Sequence, residues 1–392
     1  MSNKIARVLV AAAAAGCLGC APVYLSRPGG RGVVLVRVAL RHNAPEVRLA
    51  GDGARIADAG HGATLAPGES WTVTAAGGGL RAVTGRGTEI GAISGPLRAW
   101  AAGGVEVEGR RVAAAVELRP EAGGGVLVIA ELPLEQYVAG VVAAELGMAK
   151  PDEIEAAKAQ AVASRSYACA TLGSRPGAGY DLEATVAHQA FDPGKPVGAT
   201  AARAARETEG LVLTRGGSVF AANYHSTCGG RTALASEAWN ADDRKFPHIA
   251  SVRDGHCGVS PRFSWADTIA ATDISLRLFG ANAEIRDVDV AQRGPSGRAV
   301  ALRISSAAAD TTLHKDKIRF GLASRPLPST LFDLQCLRDE SGNVGAVALK
   351  GFGYGHGVGM CQWGAIGMAR AGKSYVRILK HYYRDVRIET LR

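Results

Sequence analysis

The sequence lacks several features that would assign it to a common class of protein. Its apolar runs are too short to cross a bilayer, and the most prominent extends only from Val8 to Ala15. It has no internal repeat, no low-complexity block and no dense run of Lys and Arg. These absences argue against a multi-span membrane protein, a repeat protein and a nucleic-acid-binding protein.

The composition is that of a folded chain. The 392 residues include 47% hydrophobic and 21% charged residues, which suits two or three globular domains. Glycine is abundant, with 51 residues, and favours turns and strands over long helices. The formal net charge of +9 suits an anionic partner such as lipid headgroups or an acidic wall polymer, although a generally basic surface has the same composition.

The N-terminus has the organisation of a secretory signal peptide. Lys4 and Arg7 come before the apolar run, and small residues with Cys17 and Cys20 follow it. A cysteine directly after small residues also resembles a lipoprotein processing site, and a lipid on Cys17 or Cys20 would tether the chain to a membrane. We therefore expect residues 1–20 to be a signal peptide and the mature chain to be periplasmic or at the cell surface, either lipid-anchored or secreted.

The remaining sequence predicts an α+β protein in two parts. Residues 21–30 form a linker rich in Pro and Gly, and residues 31–126 form a small β-rich domain of short strand-like segments separated by turn signals. Residues 127–392 form a mixed α+β domain. In it, helical patterns begin near Pro133, Pro151 and Gln362, and strand patterns return after Gly210.

Glu145 is the first candidate for chemistry. It falls in the middle of the apolar stripe that Leu134, Val138, Val141 and Val142 form at helical spacing. A buried carboxylic acid is costly to ionise, so its pKa rises, as a general acid at neutral pH requires. The alternative is a glutamate at the helix end that reaches solvent.

Arg165 poses the same question on the second helix, which runs to about Leu172. It lies among Ile154, Ala161 and Ala168 on one face. It could pair with a carboxylate, bind an acidic group of a substrate, or extend its charged end to water.

Two further segments suit recognition of a ligand. The run YHSTCGG at 224–230 places several polar groups, His225 and Ser226 among them, where a strand passes into a turn. Glycine at every second position from Gly351 to Gly359 strips one face of an extended segment, so that a backbone or a ligand can approach, with His356 on the opposite face. The alternatives are an ordinary polar turn and a tightly packed structural turn.

Five cysteines follow the signal segment, so at least one thiol stays free if the others pair: Cys169, Cys228, Cys257, Cys336 and Cys361. In an exported protein we expect Cys228 and Cys257 to form a disulfide. The alternative is a metal site made of His225, Cys228, His256 and Cys257.

Four segments, in this order, resemble the sporulation-protein-D/LytB family. They are LPLEQYVAGVVAAE at 132–145, AKAQAVASRSY at 157–167, HSTCGG at 225–230 and GYGHGVGMCQWG at 353–364. The resemblance implies a catalytic domain over residues 127–392 with a substrate groove, and a lytic transglycosylase that cleaves the MurNAc–GlcNAc β-1,4 bonds of peptidoglycan. Glycan stripped of its peptides is the expected substrate.

The resemblance also implies roles for individual residues. Glu145 would be the catalytic acid, and the groove would be lined by a set of polar residues: Tyr137, Gln160, Arg165, Tyr167, His225, Ser226, His356 and Gln362. We expect no cofactor and no metal. The expected partners are peptidoglycan glycan strands, the membrane through a lipid anchor, and a cell-wall amidase if the chain is a non-catalytic activator instead, which is the alternative function.

The chain departs from the family pattern at three places. Leu146-Gly147-Met148 stands where relatives often have Met-Pro after the catalytic glutamate, and Cys361 stands where they usually have Ser. Some relatives carry a Cys/His metal cluster in the segment that matches 180–191, but this chain has only His188 there, beside Glu183 and Gln189. We therefore do not expect that metal.

Overall fold

A computed structural model describes residues 25–26, 32–58, 62–66, 68–147, 149–185, 188–280 and 282–391. The predicted signal peptide, with Cys17 and Cys20, lies outside the described residues. Across these described ranges, no helix is both long and apolar enough to span a membrane. The described residues fold into strands and helices of the mixed α+β class that the sequence predicts.

The N-terminal part consists of strands joined by tight turns. The strands are β1 (Leu25–Ser26), β2 (Gly32–Val33), β3 (Leu35–Ala44), β4 (Glu46–Ala50), β5 (Arg55–Ala57), β6 (Gly62–Thr64), β7 (Ser70–Ala76), β8 (Gly79–Thr84), β9 (Glu89–Ile93), β10 (Leu97–Val107), β11 (Arg110–Pro120) and β12 (Val126–Pro133). Buried and exposed residues alternate along β4, because successive side chains point to opposite faces of a sheet.

The rest of the chain begins with helices and then mixes helices with short strands. Its elements are α1 (Leu134–Leu146), α2 (Ile154–Thr171), β13 (Leu182–Glu183), α3 (Ala199–Glu207), β14 (Leu211–Arg215), β15 (Ser218–Val219), β16 (Tyr224–His225), α4 (Ala235–Ala238), β17 (Ser264–Ala270), α5 (Ala271–Phe279), β18 (Ile285–Arg293), β19 (Ala299–Ser306), β20 (Asp310–His314), α6 (Asp316–Gly321), β21 (Phe332–Arg338), β22 (Val344–Phe352), β23 (Met360–Cys361), α7 (Gln362–Arg370), α8 (Tyr375–Tyr382) and β24 (Arg387–Thr390). Single 3-10 turns lie at Pro151–Glu153, Asp243–Lys245 and Cys257–Val259.

The large sheet has the strand order β13-β3-β12-β11-β10-β4-β7-β8-β9, with β5 and β6 attached to β10. Neighbouring strands are antiparallel except for β13, which pairs with β3 in parallel. Small sheets of two or three strands make up the remainder: β1-β2, β15-β14-β24, β16-β23, β17-β22-β21 and β18-β19-β20.

The helices that carry the predicted chemistry begin and end where local signals favour it. Pro133, with a φ of −57°, directly precedes the first residue of α1, and Gly147, with a φ of 64°, directly follows the last. The 3-10 turn at Pro151–Glu153 leads into α2, which ends at Thr171, and α7 begins at Gln362. The three predicted helices are therefore confirmed.

One hydrophobic core lies on both sides of the predicted domain boundary. It contains residues of the large sheet, such as Trp71 and Val128, together with residues of α1 and α2, such as Tyr137 and Ala161. The predicted boundary between 126 and 127 falls at the start of β12, which pairs with both β3 and β11. The β-rich part and the first helices therefore share their buried apolar surface, and their independence as domains stays a prediction.

Two more cores organise the rest of the chain. The second core packs α2 against α7 and α8 and includes Cys228, Cys257 and Cys361. The third core lies within β17–β22 with α5 and α6, and contains Ile274 and Phe332. The predicted catalytic segments thus lie at the first and second cores, while β17–β22 form a packed unit of their own.

Candidate active site

Glu145 lies in the last turn of α1 and is held on both carboxylate oxygens. The backbone N–H of Ala190 donates to its Oε1 at 2.8 Å, and the Tyr224 hydroxyl donates to the same oxygen at 3.4 Å. The side-chain amide of Gln362 donates to Oε2 at 3.0 Å. Glu145 is half-buried, so the alternative of a helix-end glutamate extended into bulk water does not hold.

The surroundings of Glu145 favour its protonated form. Burial raises the pKa of the carboxyl group, because removing water destabilises the carboxylate. The hydrogen bonds from Gln362, Ala190 and Tyr224 lower the pKa and offset part of this effect. The net direction is upward, which keeps a proton on Glu145 at a higher pH than on an ordinary glutamic acid.

A cleft of about 300 Å³ opens beside this carboxyl group. Its walls come from the last turn of α1, from the residue after β16 and from the first turns of α7, and they comprise Ala144, Glu145, Leu146, Gly147, Ser226, Gln362, Trp363 and Ile366. Within this lining, Glu145 is the one carboxylic acid. The cleft offers one proton donor, polar groups from Ser226 and Gln362, and the aromatic surface of Trp363.

The alternating glycines bring the walls of the cleft together. Strand β23 pairs in parallel with β16, so that Tyr224 lies opposite Met360. A Cβ on Gly359, whose φ is 75°, would lie 1.9 Å from the carbonyl oxygen of Asn223. A Cβ on Gly353 would lie 2.6 Å from the carbonyl oxygen of Thr227. The predicted close approach is therefore confirmed, and it is made by backbone.

A buried network of polar side chains supports Glu145 from behind. The Tyr137 hydroxyl donates to Gln189 Oε1 at 3.1 Å, and Gln189 Nε2 donates to the Tyr224 hydroxyl at 2.9 Å. Gln362 Nε2 also lies 3.5 Å from Gln160 Oε1. Tyr137 and Gln160 have no exposed surface, so the prediction that they line the groove is wrong. Their helix faces turn toward the core, and they reach the site through other side chains.

Arg165 does not line the groove either. It is wholly buried and forms an ion pair with Glu135, whose Oε1 accepts from Arg165 Nε at 2.8 Å. It also donates to the carbonyl oxygen of Leu211 at 3.0 Å. Of the three alternatives for Arg165, the structure shows the pairing with a carboxylate, and the side chain reaches neither the groove nor water. Because Glu135 and Glu145 lie at opposite ends of α1, this ion pair is remote from the cleft.

The remaining predicted groove residues divide into two groups. Ser226 and Gln362 line the cleft, whereas Tyr167 and His225 do not. The ring centroids of His225 and His356 lie 5.6 Å apart with the rings tilted, and the ring centroid of Trp239 lies 5.0 Å from that of His356. Since Tyr224 points toward Glu145, its neighbour His225 points to the other face of β16. This places the histidine pair behind the cleft wall.

Both histidines are kept neutral. Burial and the nearby His356 and Arg298 hold the pKa of His225 well below its ordinary value. Burial, Arg319 and Arg298 lower the pKa of His356 to about 3. His225 Nδ1 lies 3.1 Å from the carbonyl oxygen of Val358, and the N–H of Val358 donates to His356 Nδ1 at 3.1 Å. These contacts tie the two rings to the glycine-rich segment.

The predicted disulfide is absent among the described cysteines, whose thiols are all free. Cys228 Sγ lies 3.5 Å from Cys257 Sγ, well beyond the S–S bond length of about 2.05 Å. A third thiol, from Cys361, lies close to both and accepts a hydrogen bond from the N–H of Cys228. The group of possible metal ligands found in the described part of the chain is Cys228, Asp254, Cys257 and Cys361, and the histidines of the alternative set, His225 and His256, are not among them.

Several residues at the site or behind it were not predicted as site residues, and four of them show which signals the sequence held. Tyr224 precedes His225 in β16, and the alternation of a strand places one of the two toward Glu145, so the sequence held a signal for it. Trp363 follows Gln362 at the start of α7 and lines the cleft beside it, so its position next to a predicted site residue was a signal. Gln189 and Asp254 lie in irregular segments with no periodic signal, and only the folded chain brings them to the site.

Comparisons with known proteins give the same family as the four segments. The family described as "Stage II sporulation protein" (SpoIID) matches residues 122–215, and a domain of unknown function (DUF8618) matches residues 233–359. The first match contains Glu145, the network of α1 and α2, and the Ala190 segment.

Curated relatives extend the likeness over two thirds of the chain. The stage II sporulation protein D of Bacillus amyloliquefaciens is 30% identical over 276 residues, which cover 66% of this chain and 75% of that protein. An uncharacterised protein of Brachyspira hyodysenteriae is 29% identical over 266 residues, covering 67% of this chain and 68% of the relative. The amidase enhancer of Bacillus subtilis is 26% identical over 271 residues, but this stretch covers only 37% of that protein. The chain belongs to the stage II sporulation protein D family.

Proposed function

We propose that this protein is a peptidoglycan lytic transglycosylase with Glu145 as its single catalytic acid. The observation that carries the proposal is the Glu145 carboxyl group, which lies in a cleft, is held on both oxygens and has a raised pKa. Membership of the family supports a role at the cell wall. The proposed substrate is the glycan strand of peptidoglycan, and strands stripped of their peptides are the preferred form.

The first step is proton donation. Protonated Glu145 gives its proton to the oxygen of the β-1,4 bond, and the bond from that oxygen to C1 of MurNAc breaks. The GlcNAc side leaves with a free 4-hydroxyl, and positive charge develops at C1. The N-acetyl group of the substrate stabilises this charge, so the protein needs no second carboxylate for the purpose.

The second step closes a ring. Glu145, now a carboxylate, takes the proton from the C6 hydroxyl of MurNAc while O6 bonds to C1. The product is a 1,6-anhydro end, no water is consumed, and Glu145 ends protonated as it began. Glycosidases that use water commonly place two carboxyl groups on either side of the bond. Among the described residues that line the cleft, Glu145 is the only carboxylic acid, and this favours the ring closure.

The proposed roles of the neighbours follow from their contacts. Gln362 and the N–H of Ala190 orient the carboxyl group through its two oxygens. Trp363 offers an aromatic face on which a sugar ring can pack, and Ser226 offers a hydroxyl to the glycan. Tyr137, Gln160 and Gln189 position Tyr224 and Gln362 and do not touch the substrate.

The test uses purified wild-type protein and the Glu145→Gln variant on peptide-free glycan, with the products separated and weighed by mass spectrometry. Wild-type protein should release fragments with 1,6-anhydro-MurNAc ends, and Glu145→Gln should lower their rate of release by at least about a hundredfold. Glu340→Gln, the same substitution at an exposed position just after β21, is the matched control. Equal rates of release by wild type and Glu145→Gln would show that Glu145 takes no part in the cleavage.

A second function is favoured by the relative named amidase enhancer. In that case the chain binds glycan without cleaving it and activates a separate cell-wall amidase. Wild-type protein would then release no anhydro ends, and both it and Glu145→Gln would raise the rate of the amidase. We further propose that the chain is exported and held at the membrane by a lipid on Cys17 or Cys20, and mass analysis of the mature N-terminal peptide tests this.

A further inference from the structure

Three thiols and one carboxylate meet behind the wall of the cleft. Cys228 follows β16, Asp254 precedes the third 3-10 turn, Cys257 begins that turn, and Cys361 ends β23. All four residues are buried, and one ligand atom from each lies within 4.8 Å of the others. The four come from three separate segments of the chain, so the fold assembles the cluster.

We propose that this cluster, hereafter the thiolate cluster, is a binding site for one thiophilic divalent cation of the zinc class. Its ligands would be Cys228 Sγ, Cys257 Sγ, Cys361 Sγ and an oxygen of Asp254. Three sulfurs and one oxygen complete the tetrahedral set that zinc prefers in structural sites. Because all four positions come from the protein, the ion has a structural role and takes no part in bond cleavage.

The spacing fits this ligand set with little movement. Cys228 Sγ lies 3.5 Å from Cys257 Sγ and 3.2 Å from Asp254 Oδ2. Zinc–sulfur bonds of about 2.3 Å set at tetrahedral angles hold two sulfurs about 3.8 Å apart. Small adjustments of these side chains would therefore bring each ligand to bonding distance from a central ion.

Outer contacts hold the ligands as they do around structural metals. The N–H groups of Cys228 and Gly364 donate to Cys361 Sγ at 3.2 and 3.3 Å, and the N–H of Gly230 donates to Cys228 Sγ at 3.3 Å. Such donors stabilise thiolate charge. The Tyr382 hydroxyl donates to Asp254 Oδ2 at 2.8 Å, and the N–H of His256 donates to Oδ1 at 2.8 Å.

A disulfide between Cys228 and Cys257 explains less of this arrangement. It would use two of the four groups and leave the Cys361 thiol and the Asp254 carboxylate buried beside a neutral bond. The Asp254 carboxylate also packs directly against the backbone of Gly364. A Cβ on Gly364 would lie 2.1 Å from Asp254 Oδ2, so the carboxylate requires a glycine there. A divalent cation uses all four groups and neutralises part of their charge.

The thiolate cluster is joined to the active site through the chain. Cys361 directly precedes Gln362, which donates to Glu145, and Cys228 lies two residues after Ser226, which lines the cleft. A bound ion would therefore fix the β16 segment against the start of α7. Loss of the ion would loosen Ser226 and Gln362 while leaving α1 and Glu145 in place.

The test measures metal on the full chain, purified under reducing conditions and analysed by elemental mass spectrometry. Wild type should carry about one Zn²⁺ per chain, and added Co²⁺ should give the intense sulfur-to-metal absorption of tetrahedral thiolate coordination. Cys361→Ser and Asp254→Asn remove a ligand and should weaken Zn²⁺ binding by at least about tenfold to a hundredfold, the cost of losing an outer partner alone. Cys336→Ser, in β21 and outside the thiolate cluster, is the matched control and should bind as wild type does.

The inference is overturned if the folded, reduced wild-type chain binds neither Zn²⁺ nor Co²⁺ with one ion per chain. It is overturned equally if peptide mapping finds a Cys228–Cys257 disulfide and a free Cys361 in the active protein. The Co²⁺ spectrum of wild type needs no variant, so a variant that does not fold leaves the test intact. Glu145→Gln should keep its Zn²⁺, and the outcome for the metal is therefore separate from the outcome for the proposed reaction.

Discussion

The side-chain amide of Gln362 donates a hydrogen bond to Glu145 Oε2 at 3.0 Å, across 217 positions of sequence. Glu145 lies in the last turn of α1 and Gln362 begins α7, so the contact joins the first and second cores at the cleft. It has an electrostatic consequence as well. The donated hydrogen bond stabilises the carboxylate and holds the pKa of Glu145 below the value that burial alone would produce.

Replacing Gln362 should therefore move the pH profile of the reaction. In Gln362→Leu the pKa of Glu145 rises further, so the alkaline limb of the rate profile moves to higher pH. The rate falls by about tenfold because the carboxyl group loses its orientation. The measurement is the release of anhydro ends across pH, with the exposed Gln335→Leu as control. A lower rate with an unmoved alkaline limb would contradict the role given to Gln362.

Glu145 should make the folded chain less stable as pH rises. Its folded pKa lies above the unfolded value of about 4.3, so its contribution to stability is present below that pH and is lost as pH rises through the folded pKa. Glu145→Gln cannot ionise and should not show this loss. The two proteins should diverge in urea midpoint above about pH 4, with the variant the more stable at neutral pH. Parallel curves would show that the carboxyl group is not destabilised by burial.

The ion pair of Arg165 and Glu135 should matter for stability and not for chemistry. Glu135→Gln leaves a wholly buried guanidinium without its counter-charge, which should cost about 3 kcal/mol of unfolding free energy. Asp289→Asn breaks an exposed pair with Arg303 and should cost less than about 1 kcal/mol. Urea unfolding measures both changes. Equal effects of the two variants would contradict the structural role of the buried pair.

The glycine-rich segment should tolerate no side chain where it crosses β16. Gly359→Ala would place a methyl group 1.9 Å from the Asn223 carbonyl oxygen at a φ of 75°. We expect a loss of at least about 2 kcal/mol of stability, together with loss of activity, because Tyr224 and Gln362 move apart. Gly85→Ala, with no atom within 4 Å, is the control for replacing a glycine. A Gly359→Ala protein with wild-type unfolding and wild-type activity would show that the backbone crossing is not tight.

Much of the fold and the main site residue could be predicted from the sequence, because short-range signals determine them. Pro133 and Gly147 mark the ends of α1, and the apolar stripe around Glu145 indicates its burial. The alternating glycines predict a close backbone approach, which Gly359 and Gly353 make. The four segments in order predict the family.

What could not be predicted depends on how distant segments meet. Periodicity shows that Arg165 and Tyr137 lie on buried helix faces, but it does not show whether such a face turns to the cleft or to the core. Both turn to the core. The partners of Glu145 on Ala190 and Tyr224, and the meeting of Cys228, Cys257 and Cys361 with Asp254, join segments with no shared local pattern. The division into domains at 126/127 stays a prediction, and the shared core with residues from both sides of it has no local signal in the sequence.

The measurement that tests the central claim most directly is the mass of the new sugar end formed in water enriched in heavy oxygen. If Glu145 alone supplies and recovers the proton, the MurNAc end is lighter than a reducing end by one water and carries no heavy oxygen. If the end is a reducing sugar that contains heavy oxygen, water attacks C1, and cleavage with a single carboxylic acid through ring closure is contradicted.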